Sequence, residues 1–460
     1  MPVNTTHKQY GQNLYRWKLV RDCSAGSDVV KAAGADYLPV PNAKDKSAEN
    51  KARYEAYKKR AQFVNFVSRT KNGLSGAVFR KAPELSLPDA IAYIEQNANG
   101  AGLSLEQLTK DVINDILETG NYGLLIDVPQ NAEGSLTKEQ MRQIGFGASI
   151  KLYPPESIIN WKTDGIKTTL VVLKETVEHT IDGFDCVPIE QYRELRLEEG
   201  RYVQRVWVDN VVIDEFEPRK SDGSLFDEIP FVKIGSINND MTIDPAPLYD
   251  IAEINIGHYI NSADYEESCF LVGQPTPWIS GLDQNWVDTV LKSGVALGAR
   301  SPVLLPETGQ MGLVQAAPNS QPYEAMKLKE DQLVKVGARI ISDGRGAETA
   351  EAVRIRFSSE NSVLANIVNN VTDGIFQALG FVGEFMGIEV TYDNTVFSLN
   401  TEFFDQSLDP QAIMASIALL DRGVIAKQDL RSRLRKSNMI DADRTDEDIE
   451  IDVEVVNPVA

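Results

Sequence analysis

Cysteine and histidine are the scarce residues of this 460-residue chain, with three of each. Cys23, Cys186 and Cys269 stand singly with no CxxC spacing, so neither a disulfide framework nor a zinc site is implied. His7, His179 and His258 are far apart and show neither HxxxH nor HExxH spacing, which leaves a histidine-built metal site or triad without support. Cations are also in short supply. Lys and Arg number 46 against 67 Asp and Glu, a net charge of -21, and affinity for duplex phosphates is built from the residues that are missing. No apolar run reaches the ~18 residues that a membrane helix needs. The opening MPVNTTHKQYGQ has no charged-then-apolar leader pattern, so the expectation is synthesis in a reducing cytoplasm and no membrane partner.

Catalytic motifs are missing as well. There is no GxxxxGK[ST]: Gly165-Ile166-Lys167-Thr168 lacks the spacing and the earlier glycine of a phosphate loop. Gly145-Phe146-Gly147 has no third glycine for a dinucleotide fingerprint, and GxSxG does not occur. The expectation is a protein that is not an enzyme and carries no cofactor. One enzymatic alternative stays open, because acidic residues are abundant enough for dispersed carboxylates to hold a metal for DNA processing.

What is present is an ordinary globular composition, 42% hydrophobic and 25% charged, in a chain long enough for two or more packed units. Residues 1–45 carry the turn-formers SAGSD, AAGAD and PVPNA and read as an extended arm with little core. From Glu49 to Arg69, Tyr54, Tyr57, Ala61, Val64 and Val67 recur at helical spacing among Lys51, Arg53, Lys58, Lys59 and Arg60. This basic amphipathic helix on an acidic chain has either a solvated polar face or an acidic partner. SLPDAIAYIEQN predicts a helix capped by Ser86, and SLEQLTKDVINDILETG a second with a Ser104–Gln107 capping box and Gly120 as its stop. YGLLIDVP reads as a buried strand.

Between Ala148 and Ile234 the period turns to alternation, with Val-, Ile-, Tyr- and Trp-rich runs separated by Gly and Asp turns, an antiparallel meander. Asp244 to Ile341 then reads as a long helix going out, a β/α insert and a long helix coming back. An outgoing helix of about 25 residues spans nearly 40 Å at ~1.5 Å per residue. ISDGRGAETAEAV and RIRFSSE read as loop. Leu364, Ile367, Val368, Val371, Ile375, Leu379, Val382 and Met386 form one helical stripe, followed by strands EVTYDN and VFSLN. Two helices follow, DPQAIMASIALLDRG and KQDLRSRLRKS, and then an acidic segment that Arg431, Arg433, Arg435 and Lys436 can pair with.

Several tracts in this order resemble the portal proteins of tailed bacteriophages, and more narrowly a portal-like group catalogued as a domain of unknown function. They are YLPVP at Tyr37–Pro41, the tract Tyr54–Pro83, Gly102–Pro129, IPFVKIGS, Pro247–Gly281 and Leu364–Gly387. The resemblance implies an α+β portal fold: arm 1–45, wing 46–243, stem helix 244–273, clip 274–317, stem helix 318–341, tunnel loop and connection 342–360, wing helix and strands 361–402, and crown with acidic tail 403–460. It implies a homo-oligomeric, dodecameric ring at one capsid vertex of the virion, through which double-stranded DNA passes without sequence specificity during packaging and ejection. Large terminase, then a head–tail adaptor, and the major capsid protein are the implied partners.

Within that frame Arg345, Lys335 and Arg339 are candidates for touching DNA in the channel, and Trp278, Trp286 and Leu304 for the clip core or its docking face. Lys51, Lys58, Lys59 and Arg60 are candidates for subunit or capsid contact. Another ring-forming connector remains a further alternative.

Overall fold

The computed structural model describes residues 2–127, 147–165, 167–180, 183–220, 222–273, 276–289, 305–315, 317, 319–336, 350–401, 403, 410–436, 440 and 444–449. The chain divides into two compact units, Met1–Gly76 with Pro83–Leu399, and Ala77–Ala82 with Asn400–Ala460.

The first unit begins with a correction to the expected arm. Helices α1 (Lys8–Ala25) and α2 (Ser27–Ala33) occupy it, and Tyr10, Trp17, Leu19, Val20 and Cys23 on α1 are buried. The Gly- and Ala-rich turn-formers lie after α1, at its end and beyond, and do not loosen the helix itself. Helix α3 (Ala48–Arg60) and helix α4 (Phe66–Val78) replace the single expected helix, with an irregular break between them. SLPDAIAYIEQN is not an α-helix. Ser86 belongs to strand β1 (Glu84–Ser86), which pairs with β12 (Val396–Ser398), and only the 3-10 turn Ala92–Glu95 remains.

Helix α5 (Leu105–Thr119) forms where its local signals put it. Both halves of the Ser104–Gln107 capping box are made, and Gly120 ends the helix in the left-handed region at φ 78°. Its apolar face, including Leu108, Val112 and Ile116, is buried. Strand β2 (Asn121–Asp127) follows directly and lies between β3 (Ser149–Tyr153) and β9 (Phe231–Gly235), antiparallel to both. Helices α5 and α9 (Ala350–Met386) pack on this sheet. Residues 350–360, expected as loop, therefore begin the long helix. On it Leu364, Ile367, Val368, Val371, Ile375, Leu379 and Val382 are buried and Met386 is half-buried. EVTYDN forms no strand. Asn394 closes it into a turn by accepting from Thr391 N at 2.9 Å.

The meander is a second sheet in the order β4 (Ile158–Thr163), β5 (Thr168–Thr180), β6 (Cys186–Glu198), β7 (Arg201–Val208), β8 (Val211–Phe216). Two of its turns are two-residue loops with positive φ at both positions, Glu199-Gly200 and Asp209-Asn210. That backbone matches the right-handed twist of the strands it joins.

An ion-pair cluster ties α1 to the sheet helix. Arg21 donates to Glu118 at 2.6 Å and to Glu156 at 3.0 Å and also pairs with Asp115, while Lys71 of α4 reaches Glu118 at 2.6 Å. Burial raises Asp115 to about 6 against the pull of Arg21. Burial also opposes the charge on Glu118, but hydrogen bonds from Lys71 and Ser24 outweigh it and hold that carboxyl below its usual range.

The second unit holds α10 (Pro410–Asp421) and α11 (Lys427–Lys436), with Asn400 Nδ2 donating to the Ala77 carbonyl at 3.3 Å. Arg431 Nη1 donates to the carbonyl of Asp446 at 3.5 Å, a local pairing of the basic run with the acidic segment.

Candidate functional site

The outgoing helix starts from a corner that polar contacts hold rigid. Asn121 donates to the carbonyl of Asp244 at 3.0 Å and its amide oxygen accepts from Asp244 N at 3.0 Å. Asp244 Oδ2 accepts from Ile237 N at 2.7 Å, and Gly120 O accepts from Ser236 N at 2.9 Å. A Cβ on Gly120 would lie 2.4 Å from the Pro245 carbonyl oxygen, so the chain reaches α6 (Tyr249–Gly273) through a gap that admits only glycine.

The first half of α6 is sunk in the unit, with Ile251, Ala252, Asn255, His258, Tyr259, Ser262 and Ala263 buried. The segment that breaks α3 from α4 runs along this helix. Asn255 accepts from Phe66 N at 3.1 Å and donates to Val64 O at 2.8 Å, and Ser262 Oγ accepts from Gln62 N at 2.9 Å. Tyr57 donates to Asp264 at 2.6 Å, Arg60 pairs with Glu267, and Arg53 lies 3.6 Å from Glu267. The acidic partner of Arg53 and Arg60 is thus α6 of the same chain. Lys58 pairs with Glu55 within α3 at 2.9 Å, and Lys51 and Lys59 stay exposed. Asp264 and Glu267 were not singled out from sequence, although their spacing of three residues keeps the two on one side of a helix.

Past Ala263 burial ends. The helix carries on to Gly273 with Phe270 and Leu271 exposed, followed by β10 (Thr276–Ser280), α7 (Gln284–Thr289) and β11 (Gln310–Val314). β10 and β11 form an antiparallel pair in which Trp278 faces Gly312, and a Cβ there would sit 2.8 Å from the indole nitrogen. Trp278 lies across that glycine yet keeps 40% of its surface exposed, and Trp286 on α7 is half-buried. Leu304 lies outside the described residues, so the three are not seen as one core. An insert this small has too little interior to cover two indoles.

Helix α8 (Gln321–Lys335) returns beside α6. The Lys329 stem crosses Gly257, where a Cβ would be 2.7 Å from Lys329 Cε, and Tyr323 meets Tyr265 at 5.8 Å between ring centres. Glu330 comes within 3.5 Å of His258 Nε2. Burial, the larger effect, lowers the His258 pKa against the attraction of Glu330. On α8 only Leu333 is buried, while Leu328 is 57% exposed. Lys335 lies exposed in the last turn, and Arg339 and Arg345 lie outside the described residues.

Elsewhere a cleft of about 910 Å³ lies between β4, the β9 loop and α9, lined among others by His7, Trp161, Lys167 and Lys233. Its polar groups serve the fold. Lys233 donates to the carbonyls of Asp240 and Thr242, Lys167 pairs with Asp227 at 3.0 Å, and His7 accepts from Gln9 N at 3.3 Å. Among the described residues no group of three or more His, Cys, Asp or Glu is placed to hold a metal ion, and no helix is long and apolar enough to cross a membrane.

Compared with known proteins, residues 247–386 match a family described as a domain of unknown function, DUF4055. The match spans both helices, the insert and α9 to its last residue. No curated protein matches. Among solved structures the chain is similar to a chain in the virion of a native gene transfer agent particle, at 15% identity and a TM-score of 0.40, covering 80% of this chain and 89% of that one. It is similar at the same values to a chain in the neck of that particle computed with C12 symmetry. It is also similar to an HK97 family phage portal protein from Corynebacterium diphtheriae, at 12% identity and a TM-score of 0.32, covering 77% and 93%.

Proposed function

We propose that this protein is a portal-type head–tail connector of a tailed phage or phage-like particle, a structural protein whose copies close into a ring. The observation that carries the proposal is the excursion itself. A helix anchored in a packed unit leaves it, bears a two-stranded insert and returns, and the outer part keeps Phe270, Leu271, Leu313 and Val314 exposed. Apolar side chains gathered on one projection mark an interaction surface. Copies arranged around an axis would cover them against each other, with α6 and α8 as stem and the insert as clip.

In this reading terminase and later an adaptor dock at the clip, and the ring sits at a capsid vertex. The net charge of -21 suits a conduit, since a carboxylate-lined channel gives a sliding duplex few ion pairs to break. Arg345, Lys335 and Arg339, following or ending the returning helix, are the proposed transient contacts to phosphate.

Native mass spectrometry with negative-stain microscopy of the purified chain tests the proposal. A closed ring of about a dozen copies with a channel near duplex width is the expected result. A chain that stays monomeric at every concentration refutes it.

A further inference from the structure

His258 lies on α6 with 2% of its surface exposed, and neither ring nitrogen has a hydrogen-bond partner among the described residues. A neutral imidazole carries one N–H, and burying it without an acceptor is unfavourable. The ring sits between two helices that are held to α6 in different ways.

On one side is α4, whose Phe66 ring meets the imidazole edge-on at 5.4 Å between centres. The chain entering α4 is pinned to α6. Asn255 bonds both Phe66 N and Val64 O, and Ser262 Oγ accepts from Gln62 N. On the other side is α8, which buries only Leu333. Among the described residues no hydrogen bond of ordinary geometry joins α8 to α6. Its contacts are the Lys329 stem across Gly257, the Tyr323 ring 5.8 Å from that of Tyr265, and Glu330 Oε1 3.5 Å from His258 Nε2.

The charged groups that act on His258 are both on α8. Glu330 attracts a proton to the ring and Lys329 opposes it, while burial, the largest influence, keeps the ring neutral. Glu330 does not make up the difference, because its side chain keeps 40% of its surface in water, where its attraction is screened. A ring that takes up a proton must therefore reach water, and the loosely held side is the one that can open.

We infer that His258 is an acid-operated release for α8, its imidazolium being accommodated only when the returning helix lifts from the outgoing one. This is a motion within one copy and does not depend on the connector reading. The open form takes up a proton near the ordinary 6.5 and the closed form only at lower pH. The seam is thus fully held above 6.5 and weakens as pH falls below it. One unit below 6.5 the opening equilibrium gains by up to about tenfold.

Hydrogen–deuterium exchange of the full chain, read as protection factors so that the intrinsic pH dependence of exchange drops out, measures the opening. Between about pH 7.5 and 5.5, peptides from residues 321–335 should lose protection several-fold, within that limit, while peptides from β2 should lose none. The loss should be absent in His258→Gln. It should persist or deepen in Glu330→Gln, a change at a half-exposed site that removes attraction for the proton. Exchange at the imidazole C2 position should show His258 titrating below 6.5.

A loss of less than about twofold, an equal loss in His258→Gln, or a His258 that titrates at or above 6.5 overturns the inference. So does a loss that Glu330→Gln abolishes, since the carboxylate would then be the sensor. If His258→Gln does not fold, the parent profile, the imidazole titration and Glu330→Gln still decide. None of these results bears on ring assembly, which tests the connector reading separately.

Discussion

Strand β2 and the insert strands β10 and β11 are short antiparallel strands of one chain that meet opposite fates. From Asn121 to Ile126 every residue of β2 is buried between two neighbours and two helices. In β10 and β11 only Ile279 and Gly312 are half-buried, the other residues are exposed, and Leu313 is 62% exposed. The first strand is completed by its own chain, so its energetics are those of a core. The second has half an environment, and on the proposed reading other copies supply the rest.

Substitutions can break this comparison, beginning inside the completed region. Trp17→Ala removes a buried indole that donates to the Thr119 carbonyl at 3.0 Å and should destabilise the isolated chain by about 4 kcal/mol in urea titration. A loss below about 1 kcal/mol would mean that α1 is not part of the core. Gly120→Ala puts a methyl against the Pro245 carbonyl at positive φ and should cost about 2 kcal/mol. If it is neutral, the corner that launches α6 is looser than its hydrogen bonds indicate.

The Arg21 cluster should report through pH. Asp115 has its folded pKa raised to about 6, above the unfolded value, so the folded state takes up the proton first and stability rises as pH falls from 7 towards 5. Glu118 has the opposite sign. Its folded pKa is depressed, so its contribution is present above the usual carboxylate range and is lost as pH falls through the folded value. The rise should be on the order of 1 kcal/mol and should vanish in Asp115→Asn, as followed by thermal midpoints from pH 7 to 5.

Leu313→Ser should do least to the monomer. Its stability should stay within about 0.5 kcal/mol of the parent, because the side chain is already in water. Its assembly in sedimentation should weaken. A variant that assembles normally would remove the insert from the list of subunit contacts.

Where the signal was local, the sequence was legible. The Ser104–Gln107 box and the Gly120 stop of α5 depend on residues three to sixteen positions apart, and both formed. The meander's alternation and its Glu199-Gly200 and Asp209-Asn210 turns carry their own geometry. The break between α3 and α4 was not legible. Helical spacing continued through Val64, yet Gln62 N and Val64 O bond to Ser262 and Asn255, about two hundred residues away, in place of helical partners. Likewise Ile94 in a 3-10 turn and Ile91 just before it are fully buried, where an α-helix was expected.

Of the candidate contact residues, Arg60 was legible as a cation seeking an acid but not as one already satisfied by Glu267. Lys51 and Lys59 could be told apart from Lys58 and Arg60 as exposed only once the structure had used the others.

By itself the sequence determined α5 with its capping box, the strands with tight turns, the apolar stripe of α9 and the long excursion, because these follow from chain stiffness, hydrogen-bond capping and periodicity. The tertiary structure alone decided that α1 joins the core, which cations stay unpartnered, and where burial along α6 stops after Ala263. Those outcomes depend on which distant surfaces meet, and pairing across a hundred or more residues leaves no mark in local spacing.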